Sequence, residues 1–163
     1  MDNVFVKSLF DFLHLLATIA WFGTLFVNVA ILRGTVQKIL TPPVAGPFIK
    51  LFMQKARIVV YVSLAILFIT GIPMKIVSPY YVSIIDFSNI WQIFMFVKHV
   101  FVAVLALLAI INFEFTLPSF QRVATAGPSP ELEKMKKVQM LTGMLSAVLA
   151  FIIILISAVM NHV

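Results

Sequence analysis

Cysteine is absent from this chain. Disulfides, thiolate metal sites and a covalent C-x-x-C-H haem attachment are therefore excluded. Charge is scarce too: 11% of the 163 residues are Asp, Glu, Lys or Arg, while 62% are hydrophobic. A soluble domain carries about 25% charged and about 45–50% apolar residues. The imbalance marks an integral membrane protein. With so few polar groups, no Ser/His/Asp set, no pair of catalytic carboxylates and no phosphate-binding loop can be assembled. Hydrolytic and phosphoryl-transfer chemistry have no residues to run on.

Four apolar runs are long enough to cross a bilayer, which takes about 20 residues each. They cover approximately residues 8–32, 56–76, 91–115 and 138–160. The fold class expected is all-α, a four-transmembrane-helix bundle forming a single domain over 1–163, since a split would leave two spans per half. Between the runs lie turn signals: Thr41-Pro42-Pro43 with Gly46-Pro47, Ser78-Pro79, and Gly127-Pro128-Ser129-Pro130. Ser129, Pro130 and Glu131 read as an N-cap, a first-turn proline and an acid suited to a helix start.

The net charge of +6 does not indicate nucleic acid, because the bases sit in short connections between spans. Arg33, Lys38, Lys50, Lys55 and Arg57 fall in the first, and Arg122, Lys134, Lys136 and Lys137 in the third. The middle connection has only Lys75 and Asp86. Lys and Arg excess stays on the cytoplasmic side. The expected location is thus the inner (cytoplasmic) membrane, multi-pass, with both termini and the middle loop outside. Tyr80, Tyr81 and Trp91 would form an outer aromatic belt. The first run follows no basic cluster and no A-x-A-like cleavage site, so it reads as a retained helix.

Against this apolar background, His14 and His99 stand out. An ionisable side chain within a span is costly and usually functional. His14 lies roughly 9 Å and His99 roughly 12 Å below the outer ends of their runs, at about 1.5 Å per residue. Both runs go from outside to inside, so the imidazoles share a level. The halves also look faintly duplicated, each a helix with an outer histidine, a basic inner connection and a returning helix. His162, at the water boundary, reads as a solvated terminus.

Small residues accompany the pair. Ala17 and Thr18 follow His14 by one turn and Trp21 by two; Ala103 and Ala106 follow His99; Gly71 and Ser157 with Ala158 lie on the returning helices. They leave room for a flat ligand, and they equally suit close packing of bare helices. Two imidazoles in an apolar, cysteine-free bundle are the axial set of a b-type haem, with His14 and His99 on the iron. Lys7, Lys75 and Lys98 are placed to meet its propionates, and Asp11 to orient His14. Asn28, Asn112 and Glu114 read as structural.

The string His14-Leu-Leu-Ala-Thr-Ile-Ala-Trp21-Phe22-Gly23 resembles the first helix of the copper resistance D (CopD-like) membrane domain family. It is also similar to the related HemJ-type protoporphyrinogen oxidase family. The resemblance continues through Arg57, Thr70-Gly71 and Lys98 and covers most of the chain. It implies a bundle of four or more helices and, for HemJ-like members, a haem b held at the first-helix histidine. His14, Trp21 and Lys98 carry over; His99 lies outside the shared pattern. The HemJ-type Tyr-Leu-Pro-Arg element has no counterpart, since Phe26 to Ala30 contains neither proline nor arginine.

The leading expectation is a transmembrane bis-histidine cytochrome b in electron transfer or redox sensing, a carrier more than an enzyme. Its cofactor-binding residues would be His14, His99, Lys98, Trp21, Gly71 and Ala103, and its partners lipid, haem, a quinone or another redox partner, or a second copy in a homodimer. One alternative is copper handling by His14, His99 and His162 with Met74, Met95 and Met160, since imidazole and thioether suit copper. Others are a HemJ-like protoporphyrinogen oxidase and a helical accessory subunit without cofactor.

Overall fold

In the computed structural model, residues 3–83, 85–125, 127–160 and 162 are described, with Arg33, Gln37, Pro42 and Pro43 in backbone only. The all-α expectation holds: among the described residues there is no strand. Helix α1 (Val4–Phe26) runs into a π-helical stretch, π1 (Val27–Leu32), and on into α2 (Arg33–Ile39). Helix α3 (Pro42–Ile76) returns. The second half repeats the order with α4 (Ile90–Ile110), π2 (Ile111–Thr116), α5 (Leu117–Thr125) and α6 (Pro130–Val159). Four continuous helical stretches, Val4–Val36, Val44–Ile76, Ile90–Thr125 and Pro130–Val159, are long and apolar enough to cross a membrane.

The spans outrun the apolar windows, because helix continues into the polar connections. Of the expected first connection only the stretch around Leu40 and Thr41 is non-helical. Thr41 is the N-cap residue of α3, whose first turn takes proline at a position where the missing N–H is no loss. Pro47, expected as loop punctuation, lies inside α3, as does Pro73. Each removes one backbone bond near a helix end, where the cost is smallest. At α6 the expected cap is present: Ser129 Oγ accepts from the Leu132 N–H at 3.1 Å. Gly127 sits just before it at φ 97°, the left-handed conformation that favours glycine.

The chain divides into two compact units, Met1–Ile93 and Phe94–Val163. In the first, α1 and α3 pack along their length. Helix α3 buries Met53, Ala56, Val60, Ser63 and Thr70, a stripe at steps of three, four and seven residues, and α1 buries Ala17 and Trp21. Lipid provides no hydrophobic drive between helices, so small residues that permit close backbone approach are what hold such a pair. In the second unit α6 approaches π2 and α5 most closely. Its core holds Leu105, Phe113, Leu117, Ser146, Leu149 and Ala150.

Neither π segment was legible in the sequence. They begin thirteen residues after His14 and twelve after His99, and each has asparagine as its second residue, Asn28 and Asn112. The duplication that composition only hinted at is thus repeated in the helix geometry of the two halves.

Trp91, expected in an aromatic belt, is instead buried, its ring 5.7 Å from that of Tyr80. Beside it Gln92 is 2% exposed. Its amide donates to Ser83 O at 3.4 Å, and its backbone N–H is capped by Asn89 Oδ1 at 2.8 Å. This polar knot ties the middle loop to the start of α4.

Candidate functional site: the two intramembrane histidines

His14 projects from α1 onto α3. Its Nδ1 lies 2.8 Å from the hydroxyl of Thr70. Thr70 is 3% exposed, and its hydroxyl donates to Ile66 O at 2.7 Å. A hydroxyl has one proton. When that proton goes to Ile66 O, Thr70 accepts from His14 and Nδ1 carries the hydrogen; when it goes to His14, Nδ1 accepts. In the first arrangement the neutral ring keeps its lone pair on Nε2. Asp11, expected to orient this imidazole, is not the Nδ1 partner: Thr70 holds that place.

Gly71 completes the seat. A Cβ built there would meet His14 Cε1 at 3.2 Å and Nδ1 at 3.8 Å, so the ring lies almost on the α3 backbone. Any side chain larger than hydrogen would press it away. Below the ring, Ala17 and Trp21 are buried on the same face of α1. Gly71, expected to leave room for a ligand, has the His14 ring against it, and Trp21 shares the His14 face of α1. Above it, Lys7, Phe10, Asp11, Met74, Val77 and Ser78 line a cavity of about 200 Å³.

His99 is placed differently. Its Nδ1 lies 2.7 Å from Met95 O, one turn back on its own helix. A carbonyl oxygen only accepts, so here Nδ1 carries the proton and the neutral ring leaves its lone pair on Nε2. The side chain is exposed, as is Ala103 one turn further on, while Lys98 is half-buried. Lys75 lies over the Tyr81 ring, 5.9 Å from its centroid.

The remaining expectations separate. Met95 and Met160 are buried core residues, and His162 is exposed at the chain end. Ser157 donates to Ile153 O at 2.9 Å, satisfying itself on its own helix. No group of three or more His, Asp or Glu placed to hold a metal ion occurs among the described residues. Thr70 is the residue whose role the sequence concealed, although the resemblance runs through Thr70-Gly71.

No protein-family model, curated protein or solved structure matches the chain. The function must be argued from the residues.

Proposed function

We propose that the protein is a small transmembrane b-type haem protein, a bis-histidine cytochrome serving electron transfer or redox sensing. His14 and His99 are the residues that would hold the haem. What supports the reading is that both imidazoles place Nδ1 against an oxygen, Thr70 Oγ1 and Met95 O, an arrangement that suits ligation through Nε2 in the neutral ring. Histidines on metals are held this way almost always, the second nitrogen fixing ring orientation and raising basicity. Neutral imidazole with no thiolate suits haem b, and the absence of cysteine leaves non-covalent binding as the mode.

When bound, the haem supplies one-electron chemistry. The chain's own share is positional. Thr70 orients the ring of His14, Gly71 lets the ring reach its place, and Trp21 with Ala17 keeps that helix face packed. Lys7, at the outer cavity, and Lys98 offer positive charge to the propionates. A quinone or protein redox partner would deliver the electron.

The protein is proposed to lie in the cytoplasmic membrane with both termini outside, on the strength of the Lys and Arg in the first and third connections. The resemblance to CopD-like and HemJ-type proteins agrees with a haem at His14. Copper handling is the weaker reading, because Met95 and Met160 serve as packing and His162 stands at the chain end.

Protein purified from haem-replete cells should show a sharp Soret band and the reduced bands of a low-spin b haem. Colourless protein from such cells would overturn the proposal.

A further inference from the structure

Helices α1, α2 and α3 all belong to the first unit, and their charges are one-sided. No Asp or Glu occurs between Asp11 and Asp86, while Arg33, Lys38, Lys50, Lys55 and Arg57 gather around the turn between the two spans. Residues 12–32 and 58–74 carry no Asp, Glu, Lys or Arg. At about 1.5 Å per residue these stretches are roughly 31 Å and 26 Å long, close to the hydrocarbon core of a bilayer at about 30 Å. Arg33 and Arg57 therefore mark one edge of that core.

Helix does not stop at the edge. One side runs on through α2 to Ile39, and on the other α3 starts as far back as Pro42. Along these helices Lys38 lies roughly 8 Å past Arg33, while Lys55 and Lys50 lie roughly 3 Å and 10 Å past Arg57. The headgroup layer adds about 5–8 Å on each face of the core, and a lysine stem can bend its ammonium toward it. All three lysines are exposed, so they stand at the level of the lipid phosphates with no carboxylate near them in sequence. Val44, Phe48 and Leu51 share one face of α3 by their spacing and are exposed in the same band. Apolar side chains interleaved with lysine suit a lipid interface, whereas water would leave them unburied.

We infer that the basic end of this helix pair is a binding surface for anionic phospholipid headgroups. Lys38, Lys50 and Lys55 meet the phosphates, and Phe48 and Leu51 enter the acyl boundary between them. An acidic protein would match the charge, but the bilayer brings its phosphates to this level and also covers the apolar side chains. The inference goes beyond the haem reading and does not need it.

The chain has no cysteine, so Gln54→Cys, at an exposed position of α3, carries a single fluorophore at this level without background. The full chain in nanodiscs of mixed phosphatidylglycerol and phosphatidylcholine is compared with either lipid brominated. Quenching should report phosphatidylglycerol enriched beside the probe by about fivefold or more, the gain one lysine at an anionic surface provides. High salt should erode the enrichment. The same fluorophore on Ile76→Cys, at the other end of α3, should see little of it. Combined Lys38→Gln, Lys50→Gln and Lys55→Gln should bring the two lipids near parity, and arginine at the same three positions should keep the preference. Equal quenching by both lipids at Gln54→Cys overturns the inference and leaves the lysines to an acidic protein. Enrichment that persists in the glutamine variant, or is lost in the arginine variant, overturns it as well. None of these readouts depends on haem content, so their failure leaves the haem reading standing.

Discussion

The hydroxyl of Thr70 lies 2.8 Å from Nδ1 of His14 and 2.7 Å from Ile66 O. That contact bears on which ring nitrogen carries the proton. Thr70→Val keeps the shape and removes the hydroxyl. Interhelical hydrogen bonds in bilayers average about 0.6 kcal/mol, with a maximum near about 1.7. The variant should lose stability in that range in a detergent unfolding titration, and nitrogen NMR of the histidine ring should show His14 no longer held in one tautomer. An unchanged tautomer would show that Thr70 does not set it.

At Gly71 the prediction is steric. Alanine places a Cβ 3.2 Å from His14 Cε1, so the ring must give by a few tenths of an ångström. Gly71→Ala should retain haem with an altered Soret position, while Gly71→Leu should lose it. Full haem content in Gly71→Leu would remove this glycine from the site.

Much of the fold was open to reading because apolar length alone announces a span. The Ser129 cap was legible for the same kind of local reason, a short side chain and a proline at a helix start. The π segments were not, since widening one turn at Val27–Leu32 or Ile111–Thr116 leaves no trace in hydropathy. Pro47 misled, because a proline six residues into a helix looks like a loop in a sequence and costs little there. At the site, His14, Trp21 and Gly71 announced themselves by rarity or by motif. The partner of His14 did not: Thr70 acts through a contact 56 residues away in the chain, and Asp11, closer along α1, had looked the better candidate. Gln92 was hidden likewise, its burial arising from the loop that folds over it.

The proposed topology rests on the basic connections. A phosphatase reporter, active only outside the cytoplasm, should be active when fused after Val163 and inactive when placed at Lys38 or Arg122. The opposite pattern would invert the protein and move both histidines to the inner leaflet.

Porphyrinogen oxidation is separable from electron carriage. Because Phe26 to Ala30 lacks the proline and arginine of the HemJ-type element, the gene should not rescue a strain lacking its protoporphyrinogen oxidase. Rescue that depends on His14 and Lys98 would establish the enzyme and show that element to be dispensable.

The most direct test of the central claim is the absorption spectrum of three purified variants beside the parent protein. His14→Ala and His99→Ala should each destroy the six-coordinate low-spin b-haem spectrum or convert it to a high-spin or five-coordinate one, and His162→Ala should leave it untouched. A low-spin spectrum that survives both His14→Ala and His99→Ala would contradict the account.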